Sequence, residues 1–265
     1  MLQNIAIGQY VPGQSFLHRV DPRSKLLFVV LFATLVFMAN NAVTYAILVG
    51  FTLYAILLSR LSFRYILKSL KPVWWLILFT IVLHLFMTKG GAVYVDSSWF
   101  TIEEEGVRQA VFISLRLGLL ILVSSLLTLT TSPIDLTEGL ERLLKPFGRL
   151  GVPVHEIALM MSIAIRFIPT LMEETDKIIK AQTARGADFT SGNLIRRAKN
   201  LLPIAIPLFV SAFRRAEELA LAMEARGYRG GAGRTRLHKL RFSWRDGCLA
   251  VTAALLLAAI GWWRT

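Results

Sequence analysis

The sequence predicts an all-α, polytopic membrane protein with about five transmembrane helices and a cytoplasmic helical region. Three observations carry that expectation. Of the 265 residues 55% are apolar, and the mean hydropathy is positive, a composition suited to a bilayer. Five windows, 26–38, 42–58, 72–87, 107–130 and 248–263, are apolar and almost free of charge; a span needs about 20 such residues, so 26–38 must borrow flanking turns. The net charge of +13 is unevenly placed, with Lys and Arg crowding 18–25, 60–71 and 142–245 while 89–106 carries Asp96, Glu103, Glu104 and Glu105. Because basic residues stay on the cytoplasmic side, the N-terminus, the second loop and the region after Thr131 are expected in the cytoplasm. The acidic loop and the turn at Asn40 then face outward.

The segments expected from this pattern are a cytoplasmic N-terminal stretch (1–25), a membrane domain of about four helices (26–131), a cytoplasmic region of long kinked helices (132–243) and a last transmembrane helix (244–265). The opening MLQNIAIGQYVPGQS lacks the basic end, apolar core and small-residue cleavage site of a signal peptide, so the first span is expected to stay in the mature protein. The basic excess serves topology and attraction to anionic membrane lipid, not nucleic acid. Cys248 is the single cysteine, which excludes an intrachain disulfide and a multi-cysteine metal site.

In chain order, Asp21 before Pro22 starts the first helix: its carboxylate accepts free amide hydrogens, and proline at the first position has none to lose. Trp74 and Trp75 sit near the cytoplasmic end of the third apolar block, where indoles favour the interface. His84 and Arg116 are polar groups inside apolar blocks, and each is read as bonding to its neighbours rather than as a substrate site. Ser132, Pro133 and Asp135 open a short helix whose Leu136, Leu140, Leu143, Leu144 and Phe147 form one apolar stripe. A helical pattern then runs over 153–186 with a kink expected at Pro169, too long and too charged in its second half for a simple span. A second runs to Gly227 with bends expected at Pro203 and Pro207, and Arg214 and Arg215 facing Glu217 and Glu218 within one turn. Gly230, Gly231 and Gly233 are expected to form a flexible basic link to the last span.

Both long patterns close on the same motif, A-x-x-A-R-G, in AQTARG and AMEARG, forty-one positions apart. Glycine accepts the left-handed conformation that ends a helix, and an arginine in the last turn complements the helix dipole. Small alanines let the helix end approach another surface, and a guanidinium offers a rigid fork of donors, so the pair also reads as two anchors for two grooves. The inventory of catalytic motifs is empty. GGAGRTRL lacks the Lys and Ser/Thr of a phosphate loop, the four histidines are scattered, and no H-E-x-x-H occurs. No catalytic residue, metal or cofactor is expected.

Taken together, VPGQSFLHRVDPRSKL, TSPIDLTEGLERLLKPF, ALMMSIAIRFIPTLMEE, AQTARGADF and AMEARGYRGG resemble, from end to end, the transmembrane T component of energy-coupling factor (ECF) type ABC vitamin importers. The resemblance implies a non-catalytic, multi-pass coupling subunit of the bacterial cytoplasmic membrane. It would join two ABC-type ATPase subunits to a substrate-binding S component, one or several in exchange, that carries a vitamin or other micronutrient. It implies that Ala184, Arg185 and Gly186 dock on one ATPase and Ala225, Arg226 and Gly227 on the other, through a coupling region of long helices. Leu159, Met160, Met161, Ile165 and Met172 are candidates for the face that meets the S component, since methionines suit a surface that repacks against different partners. The alternative is a stand-alone secondary transporter or channel. That would line several spans with polar residues, whereas His84 and Arg116 alone stand out. An intramembrane enzyme would need a convergent catalytic set that the inventory lacks.

Overall fold

A computed structural model of the chain describes residues 10–97, 100–187, 189, 194–230 and 242–263. Its helices are α1 (Pro22–Met38), α2 (Ala42–Ser59), α3 (Phe63–Met87), α4 (Glu104–Thr130), α5 (Pro133–Leu144), α6 (Val154–Ala184), α7 (Leu194–Ala225) and α8 (Trp244–Trp263). A hairpin of β1 (Val93–Ser97) and β2 (Phe100–Glu103) joins α3 to α4, antiparallel with Val95 opposite Ile102. Among the described residues five helices, α2, α3, α4, α6 and α8, are long and apolar enough to cross a membrane, so the fold is all-α and polytopic.

That set differs from the sequence expectation in two places. The window at 26–38 lies in α1, which has 17 residues and reaches its length with a charged first turn containing Arg23 and Lys25. The pattern at 153–186 forms a 31-residue helix whose apolar first half alone meets the spanning criterion. Pro169, Pro203 and Pro207 stay inside α6 and α7 without ending them. The acidic loop is held by one carboxylate and by backbone bonds: Gly90 N–H donates to the Glu103 carboxylate, while the backbone N–H groups of Glu104 and Glu105 donate to Ala92 O and Gly90 O at 2.9 and 3.0 Å. The link with Gly231 and Gly233 lies outside the described residues.

The chain divides into two compact units, one within Leu143–His238 and the other combining Gly8–Arg142 with Lys239–Thr265. The core of the second unit is where α1, α2, α4 and α8 converge: Phe32, Leu35, Val36 and Ala39 meet Tyr45, Leu48, Leu119, Val123, Leu256 and Ile260. These residues recur at helical spacing on each helix, so each contributes one inward stripe while its other faces stay apolar and exposed, as lipid-facing helices do. Trp74 and Trp75 are exposed on α3, consistent with indoles at an interface.

The two polar residues expected in spans are absorbed by local packing. Arg116 Nε donates to the Tyr45 hydroxyl at 3.3 Å and lies over Phe37, while Tyr45 stacks on Phe112. His84 Nδ1 is 3.1 Å from Thr88 Oγ1. At the expected cytoplasmic edge Asp21 caps α1, accepting the Arg23 N–H at 2.9 Å and the Arg23 guanidinium at 2.8 Å. Burial alone would raise the Asp21 pKa, but the side-chain and backbone hydrogen bonds from Arg23 outweigh it and hold the carboxyl below its ordinary range. Asp21 N–H in turn donates to the buried Asp246 of α8 at 2.9 Å. The buried Lys25 ammonium donates to Thr130 O and Thr131 Oγ1 at 3.1 and 2.9 Å. Start, middle and end of the second unit are thus tied in one polar cluster. α5 joins it closely, because a Cβ on Gly139 would stand 3.1 Å from Pro22 Cβ.

Candidate functional site

The two A-x-x-A-R-G motifs fold into the same hydrogen-bonded helix end. In α6 the last helical residue is Ala184, Arg185 is the C-cap, and Gly186 follows with φ 85°. Gly186 N–H donates to Thr183 O at 2.9 Å and Ala187 N–H to Gln182 O at 3.0 Å. In α7 the last helical residue is Ala225, and Gly227 has φ 71°. Gly227 N–H donates to Glu224 O at 2.8 Å and Tyr228 N–H to Met223 O at 3.0 Å. This paired 5→2 and 6→1 pattern is the Schellman motif, which needs a left-handed residue after the cap and so selects glycine. It leaves the arginine at the C-cap, outside the apolar stripe of its helix. Ala181, Ala184, Arg185 and Gly186 are exposed, as are Ala222, Ala225, Arg226 and Gly227.

α6 and α7 pack against each other and run antiparallel, since the first half of α6 lies beside the end of α7 and Glu174 beside Arg215. Glu174 in the middle of α6 accepts a hydrogen bond from the Ser211 hydroxyl and one from the Arg215 guanidinium at 3.0 Å. Arg185 lies one way along the pair from Glu174, and Arg226 the other way from Arg215. At 1.5 Å per residue the two ends are separated by on the order of 30 Å. Arg215 was expected to face Glu217 and Glu218 on its own helix. Arg214 does so, 3.4 Å from Glu218, while Arg215 reaches across the helix pair to Glu174.

The five residues expected to meet a second partner do not share one face. Met161, Ile165 and Met172, at steps of four and seven, follow one stripe of α6, and Met160 is exposed beside it. Leu159 instead lines a cleft of about 690 Å³ between the first half of α6 and the end of α7. Arg166 and Arg229 line the same cleft together with Arg226. Sequence reasoning passed over both. Arg166 carried a signal, a lone cation in an otherwise apolar stretch; Arg229 stands between the helix stop at Gly227 and the glycines that begin at Gly230. Among the described residues no group of three or more His, Cys, Asp or Glu side chains gathers to hold a metal ion.

Apolar helices packed on an apolar core with a polar cluster at one edge, and two long helices with matched exposed ends, define a polytopic membrane protein whose distinctive surface lies at helix ends. Comparison with known proteins places it. The profile of the cobalt transport protein family, CbiQ, matches residues 13–237. The chain is 82% identical, over the whole of both chains, to the energy-coupling factor transporter transmembrane protein of Brevibacillus brevis. It is 54% identical to the protein of that name from Bacillus subtilis over 98% of each chain, and 51% identical to that from Listeria innocua over 100% of each. The chain belongs to this family: it is a T component of the ECF transporters, a transmembrane transport subunit.

Proposed function

We propose that this subunit couples ATP binding and hydrolysis by two ABC-type ATPases to uptake of a vitamin or other micronutrient held by an S component. Arg185, flanked by Ala184 and Gly186, docks on one ATPase; Arg226, flanked by Ala225 and Gly227, docks on the other. The observation that carries this reading is the pair of matched, exposed Schellman ends at opposite ends of one antiparallel helix pair. A rigid pair held at Glu174 turns relative movement of two docked partners into movement of the whole pair, and the Met161, Ile165 and Met172 stripe of α6 passes that movement to the S component. The N-terminus and the 132–243 region face the cytoplasm of a bacterial cell, by the placement of basic residues. ATP hydrolysis belongs to the partners, and the chain needs no cofactor.

The test is co-purification with the two ATPases and vitamin uptake in cells. Arg185→Ala and Arg226→Ala are each expected to reduce ATPase retention about tenfold, in the range for a hot-spot arginine, and the double variant to abolish uptake. Normal retention and uptake in the double variant would overturn the docking roles. ATP turnover by the chain purified free of both ATPases would overturn the non-catalytic assignment.

A further inference from the structure

The two helix ends match in backbone but not in charge. Three positions beyond the motif arginine the first end carries Asp188 and the second carries Arg229. The second end also opens on the 690 Å³ cleft, to which α6 contributes Arg166 and Phe167 and α7 contributes Met223 and Arg226, followed by Tyr228 and Arg229. Three guanidinium groups therefore line one concavity. Among the described residues its lining contains no aspartate or glutamate. Arg166, Arg226 and Arg229 have no ion pair among the described residues, and all three are exposed.

Three like charges around a cleft repel one another, and the arrangement is relieved when an anionic group enters. Guanidinium groups favour carboxylates in bidentate pairs, and the apolar side chains between them suit a peptide with both acidic and hydrophobic residues. We propose that Arg166, Arg226 and Arg229 form an electropositive cradle that receives an acidic segment of one partner ATPase. The cradle distinguishes that ATPase from the one on the Arg185 end. This rests on the docking reading above and adds a selectivity that the Ala-Arg-Gly motif alone does not supply. Arg226 is the anchor; Arg166 and Arg229 set the field that the anchor works in.

The experiment uses the full chain in zwitterionic phosphatidylcholine nanodiscs, with binding of the ATPase pair measured between low and high salt. Arg166→Ala/Arg229→Ala is expected to bind about tenfold more weakly at low salt and to show a flatter salt dependence, because charge-steered contacts are the ones that salt screens. Arg185→Ala, which removes one docking guanidinium and leaves the cradle intact, is expected to flatten the salt dependence less than Arg166→Ala/Arg229→Ala does. Arg229→Asp lies beyond the helix end at an exposed position, does not threaten folding, and is expected to act in the same direction. If Arg226→Ala binds weakly while the double variant matches wild type at every salt, the cradle is wrong and the docking reading stands. An unchanged salt dependence in the double variant also overturns the cradle, and so does a loss that appears only in discs containing phosphatidylglycerol, which would assign the cleft to an anionic lipid. Normal binding by Arg185→Ala, Arg226→Ala and Arg185→Ala/Arg226→Ala alike would remove the docking reading itself.

Discussion

At the scale of single residues, Gly186 and Gly227 hold the two helix ends in shape. Each sits in the left-handed region, at φ 85° and 71°, where a Cβ costs roughly 1–2 kcal/mol. Neither glycine has a neighbour that a Cβ would strike, so replacing it affects the backbone alone. Gly227→Ala is therefore expected to loosen the Schellman end and weaken ATPase binding several-fold with Arg226 intact. Gly227→Asn, which tolerates this conformation better, is expected to lose less. Binding measured on both variants beside Arg226→Ala checks it; equal, wild-type binding by both would mean that the end needs only its charge. Glycine as a helix stop was legible in the sequence because the requirement is local. The 5→2 and 6→1 bonds follow from it.

Among elements, the α6–α7 pair marks where legibility ends. Helices long enough to form and their stops are local patterns, and the structure follows them. The partner of Arg215 is not local: Glu174 lies forty-one positions away, and the nearer Glu217 and Glu218 were the natural assignment by helical spacing. The same reason hid the bonds of Lys25 to Thr130 and Thr131, more than a hundred residues apart. Acidic residues at 103–105 gave topology but not the hairpin they help to close. A double-mutant cycle of Glu174→Ala and Arg215→Ala, read from thermal unfolding in detergent, is expected to give a coupling of about 0.5–1 kcal/mol, since the pair is partly exposed. If the pair also transmits movement, Glu174→Ala lowers vitamin uptake more than it lowers ATPase binding. Parallel losses in both would assign Glu174 to stability alone.

For the whole molecule, the unit within Leu143–His238 is an insertion in sequence between α5 and α8, both of which belong at least in part to the other unit. The helix that follows the insertion must find its place among helices made much earlier in the chain, and apolar packing of Leu256 and Ile260 does not fix its depth. Asp246 does: its carboxylate accepts the Asp21 N–H at 2.9 Å and the Ser243 N–H at 2.6 Å, locking the start of α8 to the start of α1. Asp246→Ala leaves two amides without an acceptor and is expected to cost about 1–3 kcal/mol of stability. Asp21→Asn tests the charged half of the cluster through pH. Because the Asp21 pKa is lowered in the folded chain, its stabilisation is fully present above the ordinary carboxylate value of about 3.9 and is lost as pH falls through the lowered one. At neutral pH Asp21→Asn should therefore melt below the wild type, and the gap should narrow as the pH is taken below about 4, where the wild type loses the same charge. A gap that stayed constant down to that pH would mean that the Asp21–Arg23 charge pair adds nothing to the backbone lock made by Asp246.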